Sequence, residues 1–453
     1  MGTITLGQAA AWCGGKVKPE YQDISFFGAN NDSRSLTPGQ LFVALRGARD
    51  GHDFIPAALK NGAAAVLCTH CEGDYPAIVV PDTRIALGDI ARHARETMNI
   101  KVVGVTGSVG KSTTKEMIAC ALQGKYRVEK SPVNHNNDIG LPMTVLGLPE
   151  DTEVAVLEMG MNHFREMAYL SQIAKPDMGV IINIGTAHIE HLGSQDGILK
   201  AKMEILEGMA PTATLILNGD DPRLQEQKDL PVEKVIYFGI SGEGCDVHGT
   251  PTPAPAGSLC LTMHSGEQTF PVTLPVEGDH YMSDALAAVT VALEMGVEPE
   301  RIRENLANFR NMSGRQEIVQ AGDYTLIKDY YNASPESMEA ALNVLGTRSG
   351  RRIAVLGDML ELGISSQAIH YRIGRVAAEK ADILLAYGTN AIRMIHGAVT
   401  GGMSGNAAQA FTDRDRLTEM LCHIAKPGDT ILFKGSRGMR MELVMEGFLN
   451  TRK

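Results

Sequence analysis

Gly104-Val-Thr-Gly-Ser-Val-Gly-Lys-Ser-Thr-Thr-Lys115 is the stretch of this sequence that indicates the fold. A short apolar strand beginning at Lys101 leads into it, and a helical stretch opens at Lys111. Between them lies a tight turn made by three small residues, Gly107, Ser108 and Gly110. A strand, a glycine-rich loop and a helix in this order are typical of a P-loop, which binds nucleotide phosphates. A Gly-Lys-Ser triplet also occurs in structural turns, but the flanking strand and helix favour phosphate binding.

Each part of this loop has a chemical role in phosphate binding. Backbone N–H groups at the N-terminus of a helix attract phosphate oxygens. Lys111 adds a cation near the outer phosphates, and the Ser112 hydroxyl is placed to bind Mg²⁺. Val105 stands where the full Walker pattern has a glycine, so the loop is poorer in glycine than that of a GTPase or kinase. The sequence therefore predicts a nucleoside triphosphate site with magnesium.

The composition sets limits on the class of protein. The chain has 453 residues, enough for about three domains. A net charge of -11 argues against general binding to nucleic acid or to a bilayer surface, since either needs a basic face. We expect no membrane span, because no apolar run reaches about 18 residues. The N-terminus resembles no signal peptide, which predicts a cytoplasmic location.

Seven cysteines, an odd number, fit reduced thiols better than a disulfide framework. Cys68-Thr-His-Cys71 holds the one close pair. A metal or redox role is one interpretation, and a loop after an apolar strand is the other. Without a second such pair, the loop interpretation is favoured.

Strands and helices alternate along most of the chain, which predicts largely parallel sheets with helices on both faces. We predict an α/β protein of three domains, bounded at 1–98, 99–312 and 313–453. The central one contains the P-loop and an antiparallel excursion after residues 249–257. The third restarts the alternation as a doubly wound, Rossmann-like sheet without a second phosphate loop. The predicted strands are Leu41–Leu45, Ala64–Leu67, Ala77–Val80, Val154–Leu157, Gly179–Ile184, Ala213–Leu217, Val235–Phe238, Ser258–Met263, Thr269–Leu274, Tyr324–Lys328, Arg352–Leu356, Ile383–Ala386 and Thr430–Phe433. The predicted helices include Arg84–Thr97, Ser283–Met295, Ser337–Leu345, Gln367–Glu379 and Asp413–Leu421.

Candidate metal ligands follow the strands of the central segment. Glu158 ends an apolar strand, so its carboxylate can share a metal ion with Ser112 at the crevice edge or can be a surface cap. His188 lies just past the next strand and is either a ligand or a hydrogen-bonding loop residue. In the helix that follows, Lys200 and Lys202 cannot share a face. The periodicity does not decide which of the two points inward.

Motifs spread over nearly the whole chain resemble the Mur ligase family of ATP-dependent amide-forming ligases. They are the P-loop, Glu158, the Ala-His pair at 187–188 and the Ala-Lys pair at 201–202, together with the stretches 31–34, 41–47, 134–142, 158–162, 329–335, 357–363 and 434–442. The resemblance implies three domains that bind, in order, a UDP-sugar substrate, ATP and an amine.

The resemblance is strongest to the member that adds a dipeptide in peptidoglycan synthesis, a route that serves cell-wall growth, cell shape and division. It implies that D-alanyl-D-alanine is joined to UDP-N-acetylmuramoyl-tripeptide through an acyl phosphate, with ATP converted to ADP. It also implies a cytoplasmic enzyme, which we expect to be a monomer. The alternative within the family is the member that adds the third amino acid, whose Asp-Tyr-Ala-His-Thr-Pro and Asp-Asn-Pro-Arg motifs do not occur here. Folylpolyglutamate synthase and a nucleotide-gated binding protein are more distant alternatives.

The resemblance also implies roles for individual residues. Lys202 matches the lysine that becomes carbamylated by CO₂ and then helps to hold magnesium. Arg315 matches an arginine that reaches the nucleotide phosphate on closure. The implied catalytic residues are Lys111, His188, Lys202 and Arg315, and the implied metal ligands are Ser112, Glu158, His188 and carbamylated Lys202. The implied nucleotide contacts are Gly107, Ser108, Gly110, Lys111, Ser112, Thr113, Asn137, Asp284, Arg315 and Asp329. The implied substrate contacts are Ser33, Arg34, Asn332, Lys434 and Ser436.

One implied nucleotide contact departs from the family pattern. Family members have an asparagine at the adenine position where this chain has Asp284, within His280-Tyr-Met-Ser-Asp-Ala285. An ionised aspartate accepts hydrogen bonds but lacks the amide donors of asparagine.

Overall fold

A computed structural model describes residues 3–451 of the chain. Three units, each made of one β-sheet and its helices, follow one another along the sequence. The first of them also contains a two-stranded ribbon. We refer to the residues around these sheets as the N-terminal unit (3–98), the central unit (99–312) and the C-terminal unit (313–451). The predicted α/β class with parallel sheets is confirmed.

The N-terminal unit contains a small parallel sheet in the order β3-β4-β5-β6, beside an antiparallel β1-β2 ribbon. Its strands are β1 (Ile4–Thr5), β2 (Ser25–Phe26), β3 (Ala29–Asn30), β4 (Leu41–Val43), β5 (Ala65–Cys68) and β6 (Ala77–Val79). Its helices are α1 (Leu6–Cys13), α2 (Ile55–Lys60) and α3 (Thr83–Glu96). Asp82 caps α3 by accepting from the N–H groups of its first turn.

The central unit holds a nine-stranded sheet in the order β15-β14-β13-β12-β11-β10-β7-β9-β8. Its strands are β7 (Lys101–Thr106), β8 (Val128–Lys130), β9 (Val154–Glu158), β10 (Met178–Ile181), β11 (Thr214–Asn218), β12 (Lys234–Gly239), β13 (Val247–Thr252), β14 (Leu259–Ser265) and β15 (Gln268–Leu274). Its helices are α4 (Lys111–Leu122), α5 (Gly140–Leu146), α6 (Glu166–Ala174), α7 (Ile189–Leu192), α8 (Gln195–Met203), α9 (Pro222–Gln225), α10 (Tyr281–Glu294) and α11 (Pro299–Ala307).

The strand order of the central sheet explains where its crevice lies. Strands β7 to β13 are parallel, and β13, β14 and β15 pair antiparallel as the predicted excursion. From β7 the chain passes to β8 and β9 on one side and then to β10 on the other. Connections that leave in opposite directions open a crevice at the carboxyl ends of the strands. The loop after β7 lies at this point.

The C-terminal unit is a six-stranded sheet in the order β16-β17-β21-β18-β19-β20. All pairs are parallel except the β16-β17 pair. Its strands are β16 (Glu317–Ala321), β17 (Tyr324–Asp329), β18 (Arg352–Gly357), β19 (Ile383–Tyr387), β20 (Ala408–Phe411) and β21 (Thr430–Lys434). Its helices are α12 (Pro335–Gly346), α13 (Ser366–Lys380), α14 (Ala391–Thr400), α15 (Arg414–Ile424) and α16 (Glu442–Thr451). Separate apolar clusters cover the two faces of this sheet, as a doubly wound fold requires.

Several predicted boundaries were wrong, including two in the central unit. Strand β10 ends at Ile181, not Ile184, because residues that follow it turn away to hydrogen-bond the P-loop. Helix α10 begins at Tyr281, two residues before the predicted start at Ser283. Within residues 3–451, no helix is long and apolar enough to cross a lipid bilayer.

The loop interpretation of the Cys68–Cys71 pair fits the structure. Cys68 ends β5 and is buried, and Cys71 lies in the following loop. Burial raises the pKa of the Cys68 thiol to about 12, which disfavours the thiolate that metal binding or redox chemistry needs.

Candidate nucleotide and metal site

The P-loop joins β7 to α4 with the backbone geometry that the sequence predicts. Gly110 has φ +88°, a left-handed conformation that favours glycine. A Cβ atom at this position would lie 2.5 Å from Asp284 Oδ1, so the close approach of α10 also requires glycine. Lys111 Nζ donates to the carbonyl oxygens of Gly107 (2.8 Å) and Ser108 (3.3 Å). The lysine is therefore folded over the loop that would hold the phosphates.

Ser112 and Glu158 meet at the carboxyl ends of neighbouring strands, as predicted. Ser112 Oγ donates to Glu158 Oε2 over 2.6 Å, and Glu158 is only 3% exposed. Burial opposes ionisation of this carboxyl, but Lys111 and the hydrogen bonds from Ser112 and Asn136 outweigh it and keep its pKa below the ordinary value. Glu158 is therefore an ionised, buried carboxylate and not a surface cap.

Lys202, rather than Lys200, points into the protein. Lys202 is 2% exposed, whereas Lys200 lies on the surface with its ammonium 5.9 Å from the centre of the Phe164 ring. Burial, reinforced by the charge of Lys111, lowers the pKa of the Lys202 amine well below its ordinary value. A neutral amine at this position is a nucleophile, which is the form that reacts with CO₂.

His188 and Arg315 each contact a different part of the molecule around the P-loop. His188 has φ +62°, and its Nδ1 lies 2.7 Å from Glu361 Oε2 of the C-terminal unit. Burial lowers the pKa of its imidazole, and Lys111 adds to this effect. Arg315 Nη2 donates to Ser112 Oγ over 2.9 Å, and its guanidinium stacks 4.0 Å from the centre of the Tyr331 ring. Arg315 thus contacts the P-loop directly.

The chemistry of these donors fits a magnesium ion bound together with a nucleotide. A hydroxyl and an ionised carboxylate are oxygen ligands of the kind that Mg²⁺ prefers. Within residues 3–451, no three His, Cys, Asp or Glu side chains come together as a metal cage. Mg²⁺ usually takes one or two carboxylates and completes its shell with water and substrate phosphates, so such a cage is not required.

Asn137 and Asp284, two of the implied nucleotide contacts, are hydrogen-bonded within the protein. Asn137 is exposed, and its Oδ1 accepts from the backbone N–H groups of Ile139 and Gly140 at the start of α5. Asp284 is buried behind the P-loop, where its Oδ1 accepts from Thr114 Oγ1 over 2.7 Å. Burial raises the pKa of Asp284 to about 7. A protonated carboxyl has one O–H donor, which the ionised form lacks.

The predicted residues of the C-terminal unit form one connected group. Lys434 is buried, and its Nζ donates to Asp329 Oδ2 (2.6 Å) and to the Asn332 carbonyl (3.2 Å). Ser436 Oγ donates to the carbonyl of Ala333 and accepts from the N–H of Leu360.

Ser33 and Arg34 lie in the N-terminal unit, with partners in that same unit. Ser33 is buried, and its carbonyl accepts from Asn61 Nδ2 over 2.8 Å. The Arg34 side chain is 88% exposed and pairs with Asp32. Thr113, the remaining P-loop residue of the prediction, is buried in the first turn of α4.

Sequence reasoning missed two asparagines at the site. Asn136 Nδ2 donates to Glu158 Oε1 over 2.8 Å, so it and not its neighbour Asn137 contacts the strand-end carboxylate. Asn183 Oδ1 accepts from the N–H groups of Ser108 (2.9 Å) and Val109 (3.0 Å), which fixes the shape of the P-loop. Asn136 lies in the stretch 134–142 that resembles the family, whereas Asn183 falls inside the predicted strand Gly179–Ile184 and carried no signal of its own.

Comparison with known proteins agrees with this geometry. The chain belongs to the Mur ligase family, whose models match it in three parts: the "Mur ligase family, catalytic domain" at residues 25–95, the "Mur ligase middle domain" at 105–292 and the "Mur ligase, glutamate ligase domain" at 314–437. Members of this family are ATP-dependent ligases, and the resemblance predicted from the sequence is confirmed.

Several similar proteins that match nearly the whole chain at 30% identity or more are ligases of one kind. The UDP-N-acetylmuramoyl-tripeptide--D-alanyl-D-alanine ligase of Bacillus subtilis is 36% identical over 444 residues, or 96% of each chain. A crystal structure of MurF from Acinetobacter baumannii superposes with a TM-score of 0.90 at 33% identity and covers 99% of each chain. MurF from Thermotoga maritima in complex with ADP gives a TM-score of 0.82 at 30% identity and covers 94% of this chain and 99% of that one.

Proposed function

We propose that this chain joins D-alanyl-D-alanine to UDP-N-acetylmuramoyl-tripeptide with conversion of ATP to ADP and phosphate. The names of its relatives give the same two substrates for those proteins. The observation that carries the proposal is the buried site at which Ser112, Glu158 and Arg315 meet beside the P-loop, with the buried amine of Lys202 in the same unit. Such a site suits activation of a carboxylate more than hydrolysis of ATP for motion or signalling. The product is the pentapeptide precursor of peptidoglycan.

The proposed reaction has two steps. A carboxylate oxygen of the tripeptide attacks the γ-phosphorus of ATP, which forms an acyl phosphate and releases ADP. The dipeptide amine then attacks the acyl carbon, phosphate leaves, and the amine loses a proton. Negative charge builds on phosphoryl and tetrahedral oxygens in both steps, where Lys111, Arg315 and the P-loop N–H groups can stabilise it.

Magnesium and a carbamylated lysine belong to this proposal. Ser112, Glu158, His188 and Lys202 would hold the metal, and the metal would neutralise phosphate charge. The low pKa of the Lys202 amine supports carbamylation, because CO₂ reacts with the neutral amine. Carbamylation would turn this nitrogen group into an anionic oxygen ligand, which is the kind that Mg²⁺ prefers.

We further propose three domains, bounded at 1–98, 99–312 and 313–453, that close around the reacting groups. The hinge would lie at Gly314 and Arg315, where Gly314 has φ +74°. Closure would protect the acyl phosphate from water.

We place the enzyme in the cytoplasm, where ATP and nucleotide-linked precursors are found, and we expect it to act as a monomer. Ser33 and Arg34 would bind the UDP-sugar, while Asn332, Lys434 and Ser436 would bind the dipeptide.

Phosphate release by the purified protein tests the function. The assay contains ATP, Mg²⁺ and UDP-N-acetylmuramoyl-tripeptide, and it compares D-alanyl-D-alanine with free amino acids. We expect release that depends on the dipeptide, and mass spectrometry should show the pentapeptide product. Release that depends on a single amino acid with the UDP-muramoyl dipeptide as acceptor would instead favour the ligase that adds the third residue.

A further inference from the structure

Two carboxylates of the C-terminal unit hydrogen-bond to one short loop of the central unit. Glu336 Oε1 accepts from both the backbone N–H (2.9 Å) and the hydroxyl (2.8 Å) of Thr186. Glu361 Oε2 lies 2.7 Å from Nδ1 of His188, two residues further along. We call residues 185–188 the histidine loop and the two glutamates the carboxylate clasp.

The backbone on both sides of the clasp is held in an unusual conformation. His188 and Glu361 each have φ +62°, a left-handed conformation that residues other than glycine adopt at a cost. Near Glu361, a Cβ atom added to Gly363 would lie 3.3 Å from Glu190 Cβ in α7, the helix that follows the histidine loop. Strained residues facing each other across an interface indicate a constraint that the surrounding structure maintains.

The loop that carries Glu361 is held by hydrogen bonds within the C-terminal unit. Its Met359 N–H donates to Nε2 of the buried His370, and its Leu360 N–H donates to Ser436 Oγ. The Asp358 carbonyl accepts from the Ser436 N–H. All these partners belong to the C-terminal unit, so this unit presents Glu361 on a rigid support.

The histidine loop also contacts the P-loop on its other side. The Gly185 N–H donates to Ser108 Oγ over 2.9 Å. A Cβ atom at Gly185 would lie 3.0 Å from Glu336 Oε1 and 3.1 Å from Ser108 Cβ. The loop is therefore enclosed between the phosphate-binding turn and helix α12, and it can transmit the position of the C-terminal unit to the nucleotide site.

We propose that Glu336 and Glu361 are positioning residues that assemble the metal-binding side of the site only when the C-terminal unit closes. The hydrogen bond between Glu361 and Nδ1 orients the imidazole of His188 and leaves Nε2 free for a ligand, as partners of metal-binding histidines do. The hydrogen bonds from Thr186 to Glu336 fix the backbone that carries this ring. The proposal rests on the proposed role of His188 in the function above.

One feature makes the clasp reversible. Glu336 Oε2 is buried and has no hydrogen-bond partner within the part of the chain that the structure describes. A buried, unpaired carboxylate oxygen is unfavourable, so this contact alone does not hold the units together. We expect bound nucleotide and magnesium to stabilise the closed arrangement further, which would couple closure to ligand binding.

Nucleotide binding measured by calorimetry, with and without magnesium, tests the clasp. The variants are Glu336→Ala and Glu361→Ala, and the matched control is Glu379→Ala, an exposed glutamate on α13 of the same unit. We expect each clasp variant to weaken the magnesium-dependent part of ADP binding about 10- to 100-fold. ADP binding in EDTA and the thermal midpoint should match the wild type, and the control should match it throughout. Glu361→Gln should restore part of the loss, because its amide oxygen still accepts from the imidazole.

Small-angle X-ray scattering and a double-mutant cycle complete the test. A non-hydrolysable ATP analogue with Mg²⁺ should compact the wild type and the control but not the clasp variants. Thr186→Val and Glu336→Ala should be less than additive in the magnesium-dependent binding, since they remove the same contact.

Two results would overturn the proposal. One is wild-type magnesium dependence and compaction in both clasp variants, and the other is an equal loss of ADP binding with and without magnesium. Neither readout uses the dipeptide. If the wild type fails to ligate D-alanyl-D-alanine, the proposed function fails while the clasp is still judged on its own measurements.

Discussion

The free energy of burying Lys202 depends on whether its amine is charged. A lysine that is 2% exposed and lies near a second cation, Lys111, is costly as an ammonium ion, and its pKa falls well below the ordinary value. The exposed Lys200, two positions earlier, meets no such penalty. The helix therefore contains two lysines whose amines differ in how readily they lose a proton.

Replacing Lys202 tests whether this amine is functional. We expect Lys202→Ala to lower turnover about 100-fold or more, because the proposed metal ligand is lost, while Lys200→Ala keeps wild-type turnover. Phosphate release measures both. Short carboxylates such as formate should restore part of the activity of Lys202→Ala by filling the vacated position with an anion. Normal turnover of Lys202→Ala would contradict the carbamate proposal.

Asp284 makes stability depend on pH. Its folded-state pKa is raised from 3.8 to about 7, so the folded protein binds more protons than the unfolded chain between these values. Stability relative to an Asp284→Asn variant should therefore fall as pH rises from about 4 to about 7, by on the order of 4 kcal/mol. Urea unfolding of both proteins at pH 5 and pH 8 measures this. An equal difference at both values would contradict the raised pKa.

At the scale of single residues, the sequence predicted residue type and position better than contact. It predicted Ser112 and Glu158 as neighbours, because both follow strands of one parallel sheet. It did not distinguish Asn136 from Asn137, since adjacent loop residues point in directions that only the folded backbone determines. The family resemblance selected Lys202 over Lys200. The structure adds a physical difference between them, because Lys202 is buried and Lys200 is exposed.

At the scale of elements, the β7–loop–α4 junction depends on one backbone conformation. Gly110 combines φ +88° with a close approach to Asp284, so the turn leaves no room for a side chain. The N–H groups that follow it at the start of α4 point toward the phosphate position because of this turn.

Gly110→Ala tests this junction. We expect a loss of about 1–3 kcal/mol in the free energy of unfolding, because the left-handed conformation is strained and the new Cβ meets a carboxylate. ATP binding should fall below detection by calorimetry. Gly405→Ala is the control, since its Cβ would meet nothing within 4 Å and its φ is not positive. ATP binding by Gly110→Ala at wild-type affinity would contradict the assignment of the loop.

Two of the strands that sequence reasoning missed share a physical property. Strand β8 reads Val-Glu-Lys, and β20 reads Ala-Gln-Ala-Phe, so neither has the continuous apolar run of a buried parallel strand. Both lie at sheet edges, where one neighbour suffices and polar side chains remain in water. The interior strands β7, β9 and β18 were predictable because both of their faces are covered.

At the scale of the whole molecule, the segment where we propose the hinge contributes a side chain to the P-loop. Arg315 donates to Ser112 while its guanidinium stacks on Tyr331 of the C-terminal unit. A flat cation that stacks on one unit and hydrogen-bonds the other is suited to connect closure with the P-loop. The clasp at His188 makes a second connection on the other side.

Arg315→Lys tests the hinge contact. Lysine keeps the charge but cannot stack or donate in the same plane, so we expect ADP·Mg²⁺ affinity to fall about tenfold. Calorimetry measures it, and the exposed Arg310 supplies the control Arg310→Lys. Equal affinity in the two variants would show that charge alone matters at position 315.

The position of β21 in its sheet has a consequence for synthesis on the ribosome. This strand comes last in the chain, at Thr430–Lys434, yet it lies between β17 and β18 in the middle of the sheet. Until it emerges, two strand edges that are interior in the finished sheet have no partner, and unpaired edges favour aggregation. A translation arrest that removes only the last few dozen residues would therefore leave the C-terminal unit unfolded, while the N-terminal and central sheets, whose strands are already complete, can form.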